Sequence, residues 1–185
     1  MRFSIFCIAI LALSACGQAE RGADADCALT ATNELAWPDN GARTTLVAST
    51  EGERCETANA RLELRGPDNT PRHTITASLH ALMIGGEAPE NAAPISREDA
   101  QRFLASWVDA EPMQAGALPA WAASAPHPGD GGALPYRSPL SREAYEALRA
   151  RNDAIVCLAV QVDAVECFAI EADTGNVEAV LSHAP

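Results

Sequence analysis

Arg61-Leu62-Glu63-Leu64-Arg65-Gly66-Pro67-Asp68-Asn69, with the run that follows at residues 72–82, is the stretch on which the fold turns. In its first five residues apolar and charged side chains alternate strictly. A period of two places Leu62 and Leu64 on one face of a strand and Arg61, Glu63 and Arg65 on the other. Gly66-Pro67-Asp68-Asn69 is turn chemistry, with residues suited to fixed or positive φ. Alternation resumes after it, with Ile75, Ala77 and Leu79 on one face and Thr74, Thr76, Ser78 and His80 on the other. Two half-buried strands joined by a tight turn predict an antiparallel hairpin. His73 and His80 are seven apart, an odd number, so an unbulged strand would point them to opposite faces. They are not expected to share an ion, and each is expected at the surface or rim.

Outward from the hairpin, residues 43–50 are β-prone and predict a further strand, and residues 51–59 a polar loop holding Cys55. Trp37-Pro38-Asp39-Asn40-Gly41 reads as a turn leading into the fold. Residues 84–94 are a loop rich in Gly, Pro and Asn. Ser96 then offers a helix cap, with Glu98 and Asp99 suited to the positive helix start. Ala100, Phe103, Leu104, Trp107 and Val108 follow the i, i+3, i+4, i+7, i+8 spacing of an amphipathic helix. The polar face lacks a basic stripe, so the apolar face is expected to dock on a core rather than a membrane. Ser141 repeats the cap, with Glu143 in the first turn and Ala144, Tyr145 and Leu148 as a short apolar stripe. Residues 155–160, nearly all apolar, predict a central strand. Residues 165–172 and 177–181 predict two more, with Asp173-Thr174-Gly175-Asn176 as the turn between them. The seven residues from Glu171 to Val177 are similar to the closing hairpin of PepSY-type modules. The expectation is an α+β domain over residues 28–185: an antiparallel sheet of about five to six strands with two or more helices packed on one face.

The amino terminus carries the most specific signal. Met1-Arg2 supplies a positive charge, and residues 3–13 form an almost unbroken apolar run. Eleven residues at ~1.5 Å each reach about 16 Å as a helix, roughly half a bilayer core, which suits a secretory signal and not a membrane span. Leu13-Ser14-Ala15-Cys16 resembles the lipobox of bacterial lipoproteins. The resemblance implies cleavage before Cys16, a diacylglyceryl group on its thiol and acylation of the new amine. Stable anchoring takes two or more acyl chains, which this chemistry supplies. It also implies an envelope protein facing the periplasm, signal peptide at residues 1–15 and lipidated tether at 16–27. In that family an Asp after the Cys favours inner-membrane retention, so Gly17 points to the outer membrane.

Export changes the reading of the cysteines. Cys7 leaves with the signal and Cys16 takes lipid, so Cys27, Cys55, Cys157 and Cys167 remain. An even set in an oxidising compartment predicts two disulfides. Three connectivities are open; the local pairs, Cys27 with Cys55 and Cys157 with Cys167, are expected. No C-x-x-C spacing or nearby His pair points to a metal site, and no cofactor is implied.

Charge and composition narrow the function. The net charge of −12 becomes −13 once Arg2 is removed. Such a surface repels nucleic acids and anionic headgroups, so no nucleic-acid partner is expected. All thirteen basic residues are Arg. The absence of lysine excludes Schiff-base chemistry and a Walker-type phosphate loop. No G-x-S-x-G, H-E-x-x-H, G-x-G-x-x-G or calcium loop occurs.

Residues 111–140 hold six prolines and four glycines with little periodicity. Loops this long tend to be functional or disordered. Trp121, His127 and Tyr136 are its candidate binding residues, with the aromatics as anchors and His127 able to titrate near neutrality. The leading expectation is a non-enzymatic envelope module that binds a protein, a peptidoglycan fragment or a small ligand through this loop, with the membrane as partner through the lipid. The alternatives are a periplasmic hydrolase with its site under the loop, and an inhibitor of a basic enzyme. Convergent ionisable groups beneath Trp121 would favour the hydrolase.

Overall fold

The computed structural model describes residues 26–37, 43–130, 135–171 and 174–183. The signal sequence, Cys16 and nearly all of the tether lie outside the described residues, as do most of the Trp37–Gly41 turn and Gly131-Gly132. The class is α+β with antiparallel pairing throughout, and the strands divide between two sheets. The first is a meander of β1 (Leu29–Leu35), β2 (Thr44–Glu51), β3 (Asn59–Arg65) and β4 (Pro71–Ser78). The second contains β5 (Met113–Gln114), β6 (Tyr136–Arg137), β7 (Ala154–Gln161), β8 (Ala164–Ile170) and β9 (Val177–His183), in the order β5-β7-β8-β9-β6. Three helices accompany them: α1 (Leu79–Met83), α2 (Arg97–Val108) and α3 (Arg142–Arg151). No described helix is long and apolar enough to cross a membrane.

The hairpin parity holds on β3 and β4. Leu62 lies opposite Ile75 and Leu64 opposite His73, with both leucines fully buried. The turn closes by Asn69 N–H donating to Gly66 O at 2.9 Å, with Asn69 in the left-handed region at φ 60°. On the opposite face Arg61 and Arg65 both pair with Glu63. Glu63 is buried beneath them. Burial would raise its carboxyl, but hydrogen bonds from Arg65 and Arg61 outweigh that and hold it below the usual range.

The return strand is shorter than its alternation predicts. It ends at Ser78, whose Oγ accepts the Ala81 N–H at 3.1 Å and caps α1. The expectation that His80 lies on a strand at the rim is therefore corrected. His80 sits on α1, buried, with Nδ1 3.2 Å from Gly86 O. His73 does lie on β4, half-buried, its ring 4.5 Å from that of Phe168 in the second sheet.

The second sheet is the middle layer. Val156, Leu158 and Phe168 face the first sheet, α1 and α2 in one core. Ile155, Cys167 and Ala169 face Tyr145 and Leu148 of α3 in another. Burial on both faces explains why residues 155–160 read as a continuous apolar run. β7 is interior but not central, since β8 holds the middle place. Two indoles fasten its carbonyls: Trp37 Nε1 donates to Ala154 O at 2.8 Å and Trp107 Nε1 to Ala159 O at 3.0 Å.

Helix α2 is capped by Ser96 as expected and buries Ala100, Leu104, Trp107 and Val108, with Phe103 half-buried. It also shields the edge of the first sheet. Arg97 donates to Asp26 O at 2.5 Å and Ala28 O at 3.2 Å, and Gln101 to Thr30 O at 3.3 Å. One helical turn advances about 5.4 Å and two strand residues about 6.8 Å, close enough for side chains four apart to meet carbonyls two apart.

Both local disulfides are present. Cys27–Cys55 ties the start of the described chain to the 3-10 turn Cys55–Thr57, and Cys157–Cys167 joins directly opposed residues of β7 and β8. Cys27 is buried and belongs to the domain.

Candidate functional site

The described residues of 111–140 are not structureless. They contribute β5, the 3-10 turn Ala115–Ala117 and β6, and they are strapped across α3. Met113 and Gln114 pair with Ile155 and Ala154 of β7. Gly116 N–H then donates to Asn152 Oδ1 at 2.9 Å. A Cβ on Gly116 would lie 2.5 Å from that oxygen, so any larger residue there would displace the Asn152 side chain. Asn152 is the left-handed C-cap of α3, at φ 59°.

Four side chains of α3 hold the strap by its backbone. Arg149 Nε donates to Leu118 O at 3.0 Å and the Tyr145 hydroxyl to Pro119 O at 2.9 Å. The Trp121 N–H donates to Glu146 Oε1 at 2.6 Å, and Arg142 donates to Ala123 O. Positions 142, 145, 146 and 149 are i, i+3, i+4 and i+7, a single stripe of the helix. The strap runs against the helix direction, so the stripe satisfies in order backbone groups that would otherwise need water.

The two aromatic candidates are packed as well as displayed. Trp121 is half-buried, edge-on to Tyr145 with ring centroids 5.7 Å apart, and its Nε1 donates to Ala125 O at 3.0 Å. Tyr136 lies in β6, paired with His183 of β9 and edge-on to that ring at 5.6 Å. Both rings pack against the core under the strap. Gly129, at φ 63°, donates to Ala120 O at 3.0 Å and lies so close to Pro119 and Tyr136 that a Cβ would meet each at 3.0 Å. His127 is half-buried and makes no hydrogen bond or ion pair with another described residue. The structure thus gathers Trp121, Pro119 and Tyr136 around the strap, while His127 joins no cluster of ionisable groups.

Above the strap, Trp121, Ala125, Arg142, Glu143 and Glu146 line an open groove of about 510 Å³. The ionisable groups beneath Trp121 are engaged. Glu146 accepts from Trp121 with one oxygen and from Arg149 Nη1 with the other, at 2.6 Å. The Trp121 N–H first, and then Arg149, hold its carboxyl below the usual range against the effect of burial. Burial pushes the Tyr145 hydroxyl up to about 12, which keeps it a donor to Pro119. Among the described residues no three His, Cys, Asp or Glu side chains come together as a metal site. What the arrangement offers is a preformed groove with one indole, Trp121, among side chains of mixed charge.

Sequence reasoning picked out Trp121 and Tyr136 but missed Arg142, Glu146 and Arg149. Their helical spacing was visible; their partners, which are backbone carbonyls and an amide, carry no side-chain signal. Ala144, expected in the apolar stripe of α3, is exposed, and Tyr145 and Leu148 alone form it.

Compared with known proteins, the chain matches no family model, no curated sequence and no solved structure.

Proposed function

We propose that this chain is an exported lipoprotein, anchored through acylated Cys16 and facing the periplasm, that serves as a non-enzymatic binding or assembly module. Its contact surface is the groove over Trp121, and its partner is an envelope protein or a small ligand. One observation carries the binding part of this reading: the α3 stripe fixes the strap, so the groove exists before any partner arrives. A preformed surface loses little ordering entropy on binding, which suits recognition. Trp is also the residue type most enriched among binding hot spots. Two disulfides suit an oxidising compartment, and the lipobox resemblance supplies the anchor. The hydrolase alternative has less support, because Glu146 and Tyr145 already serve Trp121 and Pro119.

The test is capture from gently solubilised envelopes with the lipidated chain as bait. Trp121→Ala alone is a poor control, since it removes a ring from the core under the strap. Glu143 is exposed and lines the groove, so Glu143→Arg changes its charge without removing packing. A stoichiometric partner lost with Glu143→Arg at unchanged melting temperature supports the reading. A partner retained at full affinity by both variants would place the contact elsewhere.

A further inference from the structure

The two most exposed large hydrophobic residues of the described chain are Ile84, at 55 %, and Val162, at 51 %. Ile84 follows α1 and Val162 lies in the turn between β7 and β8, yet they share one patch. Val162 N–H donates to Ala81 O at 3.0 Å. Between them Gly85 approaches Val162 so closely that a Cβ there would lie 3.2 Å from Val162 Cγ1. Ile84 also opens onto a groove walled by Met83, Pro94, Ile95 and Phe103, with the ion-paired Asp99 and Arg102 on its wall. Pro94 and Ile95 are at the same time walls of a second groove, formed with Asp26, Cys27 and Arg97. That second groove is where the described chain begins, and Arg97 fixes the spot by holding Asp26 O. The apolar patch and the exit toward Cys16 therefore adjoin. Residues 17–26 number ten, which span at most ~35 Å in any arrangement.

On the lipoprotein reading, on which this inference rests, that exit stays within ~35 Å of the acyl chains, and the apolar face adjoining it is the one nearest the point of attachment. We infer that the Ile84–Val162 patch is the surface on which the anchored domain rests against a zwitterionic bilayer. Apolar residues rimmed by polar ones suit the headgroup boundary. The contact is apolar and not electrostatic. The Arg102 cation at the groove is offset by its pairs with Glu98 and Asp99, and Glu87 and Glu90, exposed on the segment that follows Ile84, leave a surplus of acid that opposes anionic headgroups. Resting on this face would leave α3 and the Trp121 groove, which lie beyond the second sheet, free for a partner.

The experiment uses the full lipidated chain in phosphatidylcholine vesicles containing brominated lipid. A fluorophore is placed at Ile84→Cys, or at Thr32→Cys on the outer face of the first sheet as control. Flotation with the vesicles comes first. The expected result is flotation of both, with quenching severalfold greater at position 84 and unchanged by salt. Replacing part of the lipid by phosphatidylglycerol should reduce the quenching, and salt should then restore it. Flotation with equal quenching at both positions would overturn the orientation and leave the anchor intact. Failure to float would overturn the anchor, and the orientation with it.

Discussion

Glu146 on α3 accepts the backbone N–H of Trp121 at 2.6 Å, so a helix side chain holds the strap by its main chain rather than by packing alone. Replacing the carboxylate strands a half-buried amide and releases Arg149. Glu146→Ala is expected to cost about 1–3 kcal/mol, read by chemical denaturation. Amide exchange should accelerate at residues 118–129 before it does in β7 and β8. Glu146→Gln keeps an acceptor and should lose less. Uniform acceleration across both sheets would mean that the strap is not a separate unit.

The same stripe predicts an alkaline transition. The Tyr145 hydroxyl is raised from 10.0 to about 12 by burial. For an acid whose folded pKa is raised, the associated stability is complete below pH 10 and is lost as pH climbs toward 12. Tyr145→Phe should remove most of that loss. It should also cost about 0.5–1.5 kcal/mol at neutral pH through the missing bond to Pro119. Stability measured from pH 7 to 12 checks both parts.

Acid should act in two stages. Burial against Phe168 lowers His73 below its usual 6.5, despite the opposing pull of Glu166. A depressed pKa gives stability that is complete above the unfolded value, so this share is lost as pH falls below 6.5. Glu63 and Glu146 are held below their usual 4.5, and their shares are lost only as pH falls further, below that value. His73→Leu should abolish the first stage and leave the second.

The two disulfides close segments of 28 and 10 residues. By the loop-entropy relation the first contributes about 3.6 kcal/mol and the second about 2.7. Cys27→Ser with Cys55→Ser should therefore lower stability more than Cys157→Ser with Cys167→Ser. Differential scanning calorimetry of the two double variants ranks them.

The edge of β1 offers a different kind of test. Arg97 and Gln101 cover the Ala28 and Thr30 carbonyls, and an uncovered strand edge is a template for pairing with another chain. Arg97→Ala with Gln101→Ala should cost about 1 kcal/mol and produce concentration-dependent association in sedimentation velocity. A strictly monomeric variant would show that the helix is not what protects that edge.

Local patterns were the legible part of the fold. Strict parity at Leu62 and Leu64 and the cap residues Ser96 and Ser141 are short-range signals, and each element formed where its signal stood. The strand ending at Ser78 was missed because α1 has five residues, too few to show a helical period, and Leu79 and His80 continue the alternation by chance. The division into two sheets was hidden because β5 and β6 are two residues each and pair far along the chain. The strap was read as featureless because proline-rich backbone held by side chains from another element shows no period of its own. Trp121 and Tyr136 stood out as the only large aromatics there, yet Trp121 and the strap around it are gripped by Arg142, Tyr145, Glu146 and Arg149, while Tyr136 is held by His183 of β9.

Whether lipid on Cys16 holds the domain at a membrane is read most directly from the intact mass and fractionation of the protein made in a bacterial host, beside Cys16→Ser. The expected result is a mature chain that begins at Cys16, carries the mass of added acyl groups and fractionates with membranes, while Cys16→Ser appears as a soluble periplasmic protein. A chain without added lipid mass, or full membrane retention of Cys16→Ser, would contradict it.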